Sequence, residues 1–271
     1  MTRLSDVGEL GLLAELERRG LIVGVEHDAA VVGDLVVTQD TLVDGVHFRF
    51  DWLSWRELGF RAVAVNVSDL AASGADPVAL LVALGLPGAT GLADAVELYE
   101  GIAEAGVPVV GGDTTASPVA TVTVTALGRS ARVPGRAGAR PGDVLVVTGP
   151  LGAAGAAFRK RGYVRPPVRV GEGKELARTA HALTDVSDGL AVDLGRIARR
   201  SGVRCVVDLE RVPLATGATL DDVGFGEDYE LLAAVPDAGR FDAIGRVEEG
   251  EGLELRLHCE PYELGGWEHF A

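Results

Sequence analysis

The chain has 271 residues, 47% of them apolar, with 40 acidic against 25 basic side chains and a formal net charge of −15. That length and apolar content allow one large domain or two ordinary ones with a sizeable core. The longest apolar runs, such as Val78–Leu86, are too short to cross a bilayer, and the charge argues against nucleic acid and anionic membranes as partners. The first residues lack a basic segment followed by an apolar one, and neither Cys205 nor Cys259 has CxxC spacing, so a soluble, cytoplasmic protein without zinc or redox cysteines is expected.

Leu10, Leu13 and Leu16 predict a helix over 5–19, with Gly20 ending it. Strands are expected at 29–32 and 35–38 around a Gly33-Asp34 turn, with Asp40 just past the second. Ser54-Trp55-Arg56-Glu57 matches a capping box opening a helix to about Ser73, which puts Asn66 and Asp69 on one face. A buried strand at 78–86, a helix at 91–105 and a short strand at 107–110 deliver Gly111-Gly112-Asp113, and the alternating Thr/Val run 120–128 reads as a strand with one face covered. The Gly/Arg/Pro-rich stretch 129–141 marks the expected domain boundary. Beyond it, strands at 143–148, 203–209, 229–235, 243–247 and 253–258 and helices at 151–160, 173–183 and 189–201 complete a second α/β half.

Six aspartates carry the chemistry: Asp28, Asp40, Asp69, Asp113, Asp185 and Asp188. Each lies in a short polar motif beside an apolar run, where a carboxylate is costly unless something positive pairs with it. Arg and Lys are scarce nearby, so hard oxygen ligands for Mg²⁺ are the economical reading. Taken singly, the motifs stay ambiguous. Gly111-Gly112-Asp113-Thr114 is either a phosphate cradle or a turn with an Asx cap, and Ser187 or Asp188 is either a ligand or simply the N-cap of the next helix. No Walker loop, GxSxG elbow or HExxH motif occurs. Together, many carboxylates, glycine-rich turns and few lysines point to nucleotide phosphates held through several Mg²⁺ ions. Asn66 and Gln39, the only amide side chains, both lie inside aspartate motifs.

In order, Asp40–Phe48, Ala64–Ala72, Gly111–Thr114, Asp185–Leu190, Gly226–Leu231 and the ending Gly266-Trp267-Glu268-His269-Phe270 resemble thiamine-monophosphate kinase, in the group containing aminoimidazole ribonucleotide synthetase and selenophosphate synthetase. The resemblance implies an α/β (α+β), two-domain aminoimidazole ribonucleotide synthetase-like fold. Residues 1–135 would form an ATP- and metal-binding, dimerising domain, and 136–271 would complete the nucleotide and substrate site. It implies transfer of the γ-phosphoryl group of ATP to thiamine monophosphate by a homodimer. By motif match, Asp28, Thr38, Gln39, Asp40, Asp69, Asp113, Asp185 and Asp188 would hold Mg²⁺. Gly112, Asp113, Arg136 and Ser187 would contact ATP, and His47, Glu227 and Trp267 the thiamine substrate. Three departures stand out: Glu26-His27 replace Gly-Asp before Asp28, Gln39 replaces a usual Thr, and Phe225 replaces a Gly. A weakened paralogue that binds nucleotide or thiamine phosphates without turnover is the alternative. No Cys precedes Cys205, which argues against selenophosphate synthetase, and the Trp267 tail with the Asp40–Phe48 segment argues against aminoimidazole ribonucleotide synthetase.

Overall fold

The computed structural model describes residues 3–23 and 27–267. It opens with helix α1 (Leu4–Arg18), which is broken at Gly8. Five strands follow: β1 (Ala30–Val32), β2 (Leu35–Val43), β3 (Asp76–Leu86), β4 (Val109–Ala116) and β5 (Thr121–Arg129). They form one sheet in the order β1-β2-β5-β3-β4, antiparallel except for the parallel β3/β4 pair. The Thr/Val alternation of β5 buries every second residue, because successive side chains leave a strand on opposite faces. Helices α2 (Trp55–Ala72) and α3 (Leu92–Ala103) cover the inner face, with α3 in the crossover between β3 and β4. Ser54 caps α2 as the motif predicts, its Oγ accepting from Glu57 N at 3.2 Å.

Several boundaries differ from the sequence reading. β2 runs on to Val43, so Asp40 lies inside it. β3 alternates buried and exposed residues, since only α2 and α3 cover this sheet. Gly111-Gly112-Asp113 is no turn: it lies within β4, whose eight residues are all exposed at the sheet edge. A Cβ on Gly112 would collide with the Val82 carbonyl, so this glycine permits close strand pairing.

The second half contains β6 (Val144–Val147), α4 (Ala153–Arg159), α5 (Val170–Leu176), β7 (Ala182–Asp185), α6 (Leu190–Ser201), β8 (Arg204–Asp208), α7 (Leu220–Val223), β9 (Leu231–Val235), β10 (Asp242–Glu248), β11 (Gly252–Leu257) and β12 (Glu260–Pro261). Its seven-stranded sheet has the order β12-β11-β8-β10-β6-β9-β7. The helix expected over 173–183 ends at Leu176, and 182–185 is instead the edge strand that delivers Asp185.

The two halves meet along α2. Its last turn, Ala71 and Ala72, joins Leu176, Ala177, Leu183, Leu231 and Ala233 in one buried cluster, while its earlier turns belong to the first core. Small residues set these distances. A Cβ on Gly173 would strike the Ala71 carbonyl, and reciprocal contacts join α2 to α3, where Gly59 faces the Leu98 carbonyl and Gly101 the Arg56 carbonyl. Gly→Ala normally favours a helix by about 1 kcal/mol. Here the overlap outweighs that gain, so Gly59→Ala or Gly101→Ala should lower unfolding stability by about 2 kcal/mol in urea titrations. Unchanged or raised stability would show that the helices separate without cost.

Candidate active site

Four segments converge on a cleft of about 1420 Å³ between the halves. Residues Thr38 and Asp40 of β2 share the inner face, and Asp69 stands on α2 above them. Asp185 ends β7 and leads into Ser187 and Asp188. Asp28 comes from the segment before β1. Oxygens of Asp28, Asp69 and Asp185 lie within 4.8 Å of one another.

One turn of α2 ties these segments together. β1 pairs with β2 only as far as Val37, which leaves the Asp40 N–H without a strand partner on that edge. Asn66 Oδ1 accepts it at 3.1 Å, while Asn66 Nδ2 donates to the Ala62 carbonyl at 2.9 Å. Ser68 Oγ donates to Asp185, and Thr38 Oγ1 donates to Asp69. Thr184 donates to Asp28 at 3.1 Å, and Arg136 forms an ion pair with Asp28.

The carboxylates are crowded beyond what these donors offset. Burial raises Asp69 and Asp185 well above the usual carboxylate range, and neighbouring aspartates raise them further. Burial, then the charges of Asp188 and Asp28, push Asp40 up to about 6. Asp185 Oδ1 is buried without a hydrogen-bond partner. A buried, unpartnered carboxylate oxygen beside two more carboxylates is the donor set a hard divalent cation needs, so the residues present fit Mg²⁺.

Asp188 is held differently. Neither it nor Ser187 caps α6, whose N-cap is Gly189. Asp193, one turn into the helix, accepts the Ser187 and Asp188 N–H groups at 3.1 and 3.0 Å. Arg196 bridges Asp193 and Asp188 at 2.7 and 2.6 Å.

Of the other predicted residues, Arg136, Ser187, His47, Glu227 and Trp267 all line the cleft. The Val43 N–H donates to His47 Nδ1 at 3.1 Å, and the Trp267 N–H donates to the Asp188 carbonyl at 2.9 Å. Glu227 is raised by burial and opposed by Arg61, with which it forms an ion pair. Its motif neighbours are structural: Asp228 accepts the Gly152 N–H at 2.7 Å, and Glu230 forms an ion pair with Arg169 at 2.6 Å.

Three predicted contacts are not brought to the carboxylates. Gln39 lies between Thr38 and Asp40, so strand alternation turns it to the other sheet face, where it accepts from Thr125 at 2.8 Å. Gly112 and Asp113 sit on β4, three interstrand steps from β2, or about 14 Å at ordinary strand spacing, and do not line the cleft. Of the departures, Glu26 lies outside the described residues, as do Glu268, His269 and Phe270 of the terminal motif. His27 lines the cleft, its ring lying where a Cβ on Gly135 would be and its buried Nδ1 without a hydrogen-bond partner. Sequence reasoning missed Arg61, Ser68, Thr184, Asp193 and Arg196. Arg61 had a signal, as a lone cation in the apolar stretch 58–65 two turns before Asp69; the others are ordinary polar residues until the fold aims them.

Two family descriptions match the chain, AIR synthase related protein N-terminal domain over residues 26–130 and C-terminal domain over 140–257. Thiamine-monophosphate kinase of Pyrococcus horikoshii is 35% identical, the match covering 87% of this chain and 86% of that protein. Thiamine-monophosphate kinase of Mycobacterium tuberculosis is 34% identical over 99% of this chain and 93% of its own length. The solved structure described as AaThiL complexed with AMPPCP and TMP has a TM-score of 0.90 and 31% identity, with 99% of each chain covered. With two α/β halves meeting at an acidic cleft and that likeness over nearly its whole length, the chain belongs to the thiamine-monophosphate kinase family, within the AIR synthase related proteins.

Proposed function

We propose that this chain transfers the γ-phosphoryl group of ATP to thiamine monophosphate, yielding thiamine diphosphate and ADP. The observation that carries the reading is the convergence of Asp28, Asp69 and Asp185, with one buried carboxylate oxygen unpartnered. The kinase names of the relatives and the AMPPCP and TMP of the solved relative support it.

The acceptor is a phosphate oxygen, ionised at neutral pH, so no strong general base is required. The obstacle is repulsion between two polyanions, which positioning and charge neutralisation overcome. Asp28, Asp69 and Asp185 would hold Mg²⁺, with Thr38, Asp40 and Asp188 around them. Bound there, the ions would screen phosphate charge and polarise the phosphoryl oxygens. Arg136 has enough donors to keep Asp28 on one edge and meet an ATP phosphate with another. Ser187 would contact the same nucleotide, and His47, Glu227 and Trp267 the acceptor. A cytoplasmic setting belongs to the same reading, consistent with the unpaired Cys205 and Cys259.

A homodimer belongs to the proposal too. Among the described residues nothing covers the outer face of the first sheet, which presents Val32 and Leu81 to solvent, with Val110 exposed on the edge strand. Along it runs β4, an unpaired edge of the kind natural proteins ordinarily cover. Asp113 is too far from the carboxylates of its own chain to share their ions. Packing of two outer faces would let Gly112 and Asp113 of one copy serve the cleft of the other.

Incubated with ATP, Mg²⁺ and thiamine monophosphate, the protein should form thiamine diphosphate, followed by chromatography; intact MgATP binding without product would favour the non-catalytic alternative. Asp185→Asn should lower kcat about 100-fold or more and abolish the rise in Tm that Mg²⁺ gives the wild type. Leu81→Asp should shift sedimentation from dimer to monomer, and a monomeric wild type would overturn the dimer. Asp113→Asn should leave the dimer intact and weaken Mg²⁺-dependent ATP binding about tenfold; unchanged affinity and turnover would leave Asp113 a strand residue only.

A further inference from the structure

Aromatic residues make up only 5% of the chain, yet three rings from three separate segments meet at the cleft. Trp52 precedes α2 in the first half, Phe158 stands on α4 in the second, and Phe225 follows α7. Trp52 and Phe158 meet edge to face, with centroids 5.5 Å apart and planes at 83°. Phe158 and Phe225 lie 4.7 Å apart at 34°. This row crosses the junction between the halves without being buried. Trp52 and Phe225 are half-buried, and Phe158 keeps 48% of its surface exposed. Rings gathered only for stability would have closed over one another, as Phe48 does in the first core at 2% exposure.

Phe225 cannot retreat from the cleft. The loop after it is bonded to the metal-site loop, with Glu227 N–H donating to the Ser187 carbonyl at 2.8 Å and Tyr229 N–H to the Val186 carbonyl at 2.9 Å. Gly226 between them has a φ of 84°, and a Cβ there would collide with the Ser187 carbonyl. The ring is therefore fixed two residues before Glu227, on backbone attached to the segment that carries Asp185, Ser187 and Asp188.

We infer that Trp52, Phe158 and Phe225 form an aromatic wall that selects the organic half of the phosphoryl acceptor. The class it fits is a monophosphate ester of a planar, cationic heteroaromatic system, with the ring against the wall and the phosphate directed to the carboxylates. Flat π-faces attract flat rings, and attract them more strongly when those rings carry positive charge. The electronegative carboxylates behind the wall add to that preference. This inference rests on the kinase reading and specifies which residues of this chain set acceptor choice. Phe225, a departure from the family pattern, would then be a specificity device particular to this chain.

The test measures thiamine monophosphate binding by calorimetry without ATP, and steady-state kinetics with MgATP, for wild type, Phe225→Ala, Phe225→Leu, Phe225→Tyr and Phe158→Leu. Phe225→Ala should raise the Kd and KM for thiamine monophosphate about tenfold, the worth of one such ring contact. The KM for ATP and kcat at saturation should stay within twofold. Phe225→Tyr should retain wild-type affinity, while Phe225→Leu and Phe158→Leu, which conserve bulk and protect the fold, should weaken acceptor binding without moving ATP. Unchanged acceptor affinity in Phe225→Leu and Phe158→Leu, or an equal loss for ATP, would overturn the wall. If the wild type binds thiamine monophosphate but forms no product, the kinase reading fails and the calorimetric comparison still decides the wall.

Discussion

Everything at the cleft depends on α2 being buried from both sides. A helix with one wet face could shift against its sheet. This one has thirteen buried residues and packs into both halves, with glycines at Gly59, Gly101 and Gly173 setting how closely its neighbours approach. Its registry is thereby over-determined, and so are the three side chains by which its fourth turn holds the cleft's segments. Asn66 and Asp69 bond to β2, through the Asp40 N–H and Thr38, and Ser68 bonds to the end of β7 through Asp185. Carboxylates from distant parts of the chain are thus held at separations that loops alone would not maintain.

That rigidity opposes the electrostatics. Unpaired carboxylates this close repel one another, and burial worsens the repulsion by removing water. An ordinary core would resolve this with arginines. Three of the cleft's cations are engaged elsewhere: Arg136 with Asp28, Arg196 with Asp188 and Asp193, and Arg61 with Glu227. Asp69 and Asp185 receive, among the described residues, the hydroxyl donors Thr38 and Ser68. The native state is held together by packing elsewhere and keeps a local charge imbalance where polyphosphate chemistry requires cations.

Much of this was legible in the sequence. The alternation of 120–128 gave away a half-covered strand, and the Ser54 motif a helix start. The aspartate motifs led to the cleft because a carboxylate beside an apolar run needs a physical reason to be there. The failures share a cause. Gly111-Gly112-Asp113 looked like a turn because glycine pairs favour turns, but here Gly112 serves a close approach to Val82, which only the pairing partner reveals. Gln39 was grouped with Thr38 and Asp40 by motif, while strand period sets it on the opposite face. Asp193 stood outside every motif, and only the fold turns it back onto the Ser187 and Asp188 amides.

The backbone bond from Trp267 to Asp188 deserves a thermodynamic reading. It fastens a residue lining the cleft to the loop that carries Ser187 and Asp188, with Gly266 packed where a Cβ would meet Val192. Were cations to bind as proposed and displace Asp188, the displacement would pass to the Trp267 backbone. Linkage is reciprocal, so whatever factor the cations contribute to acceptor affinity, the acceptor returns to the cations. On the proposed function that bond would couple the two half-sites, so that filling either would become a statement about the other.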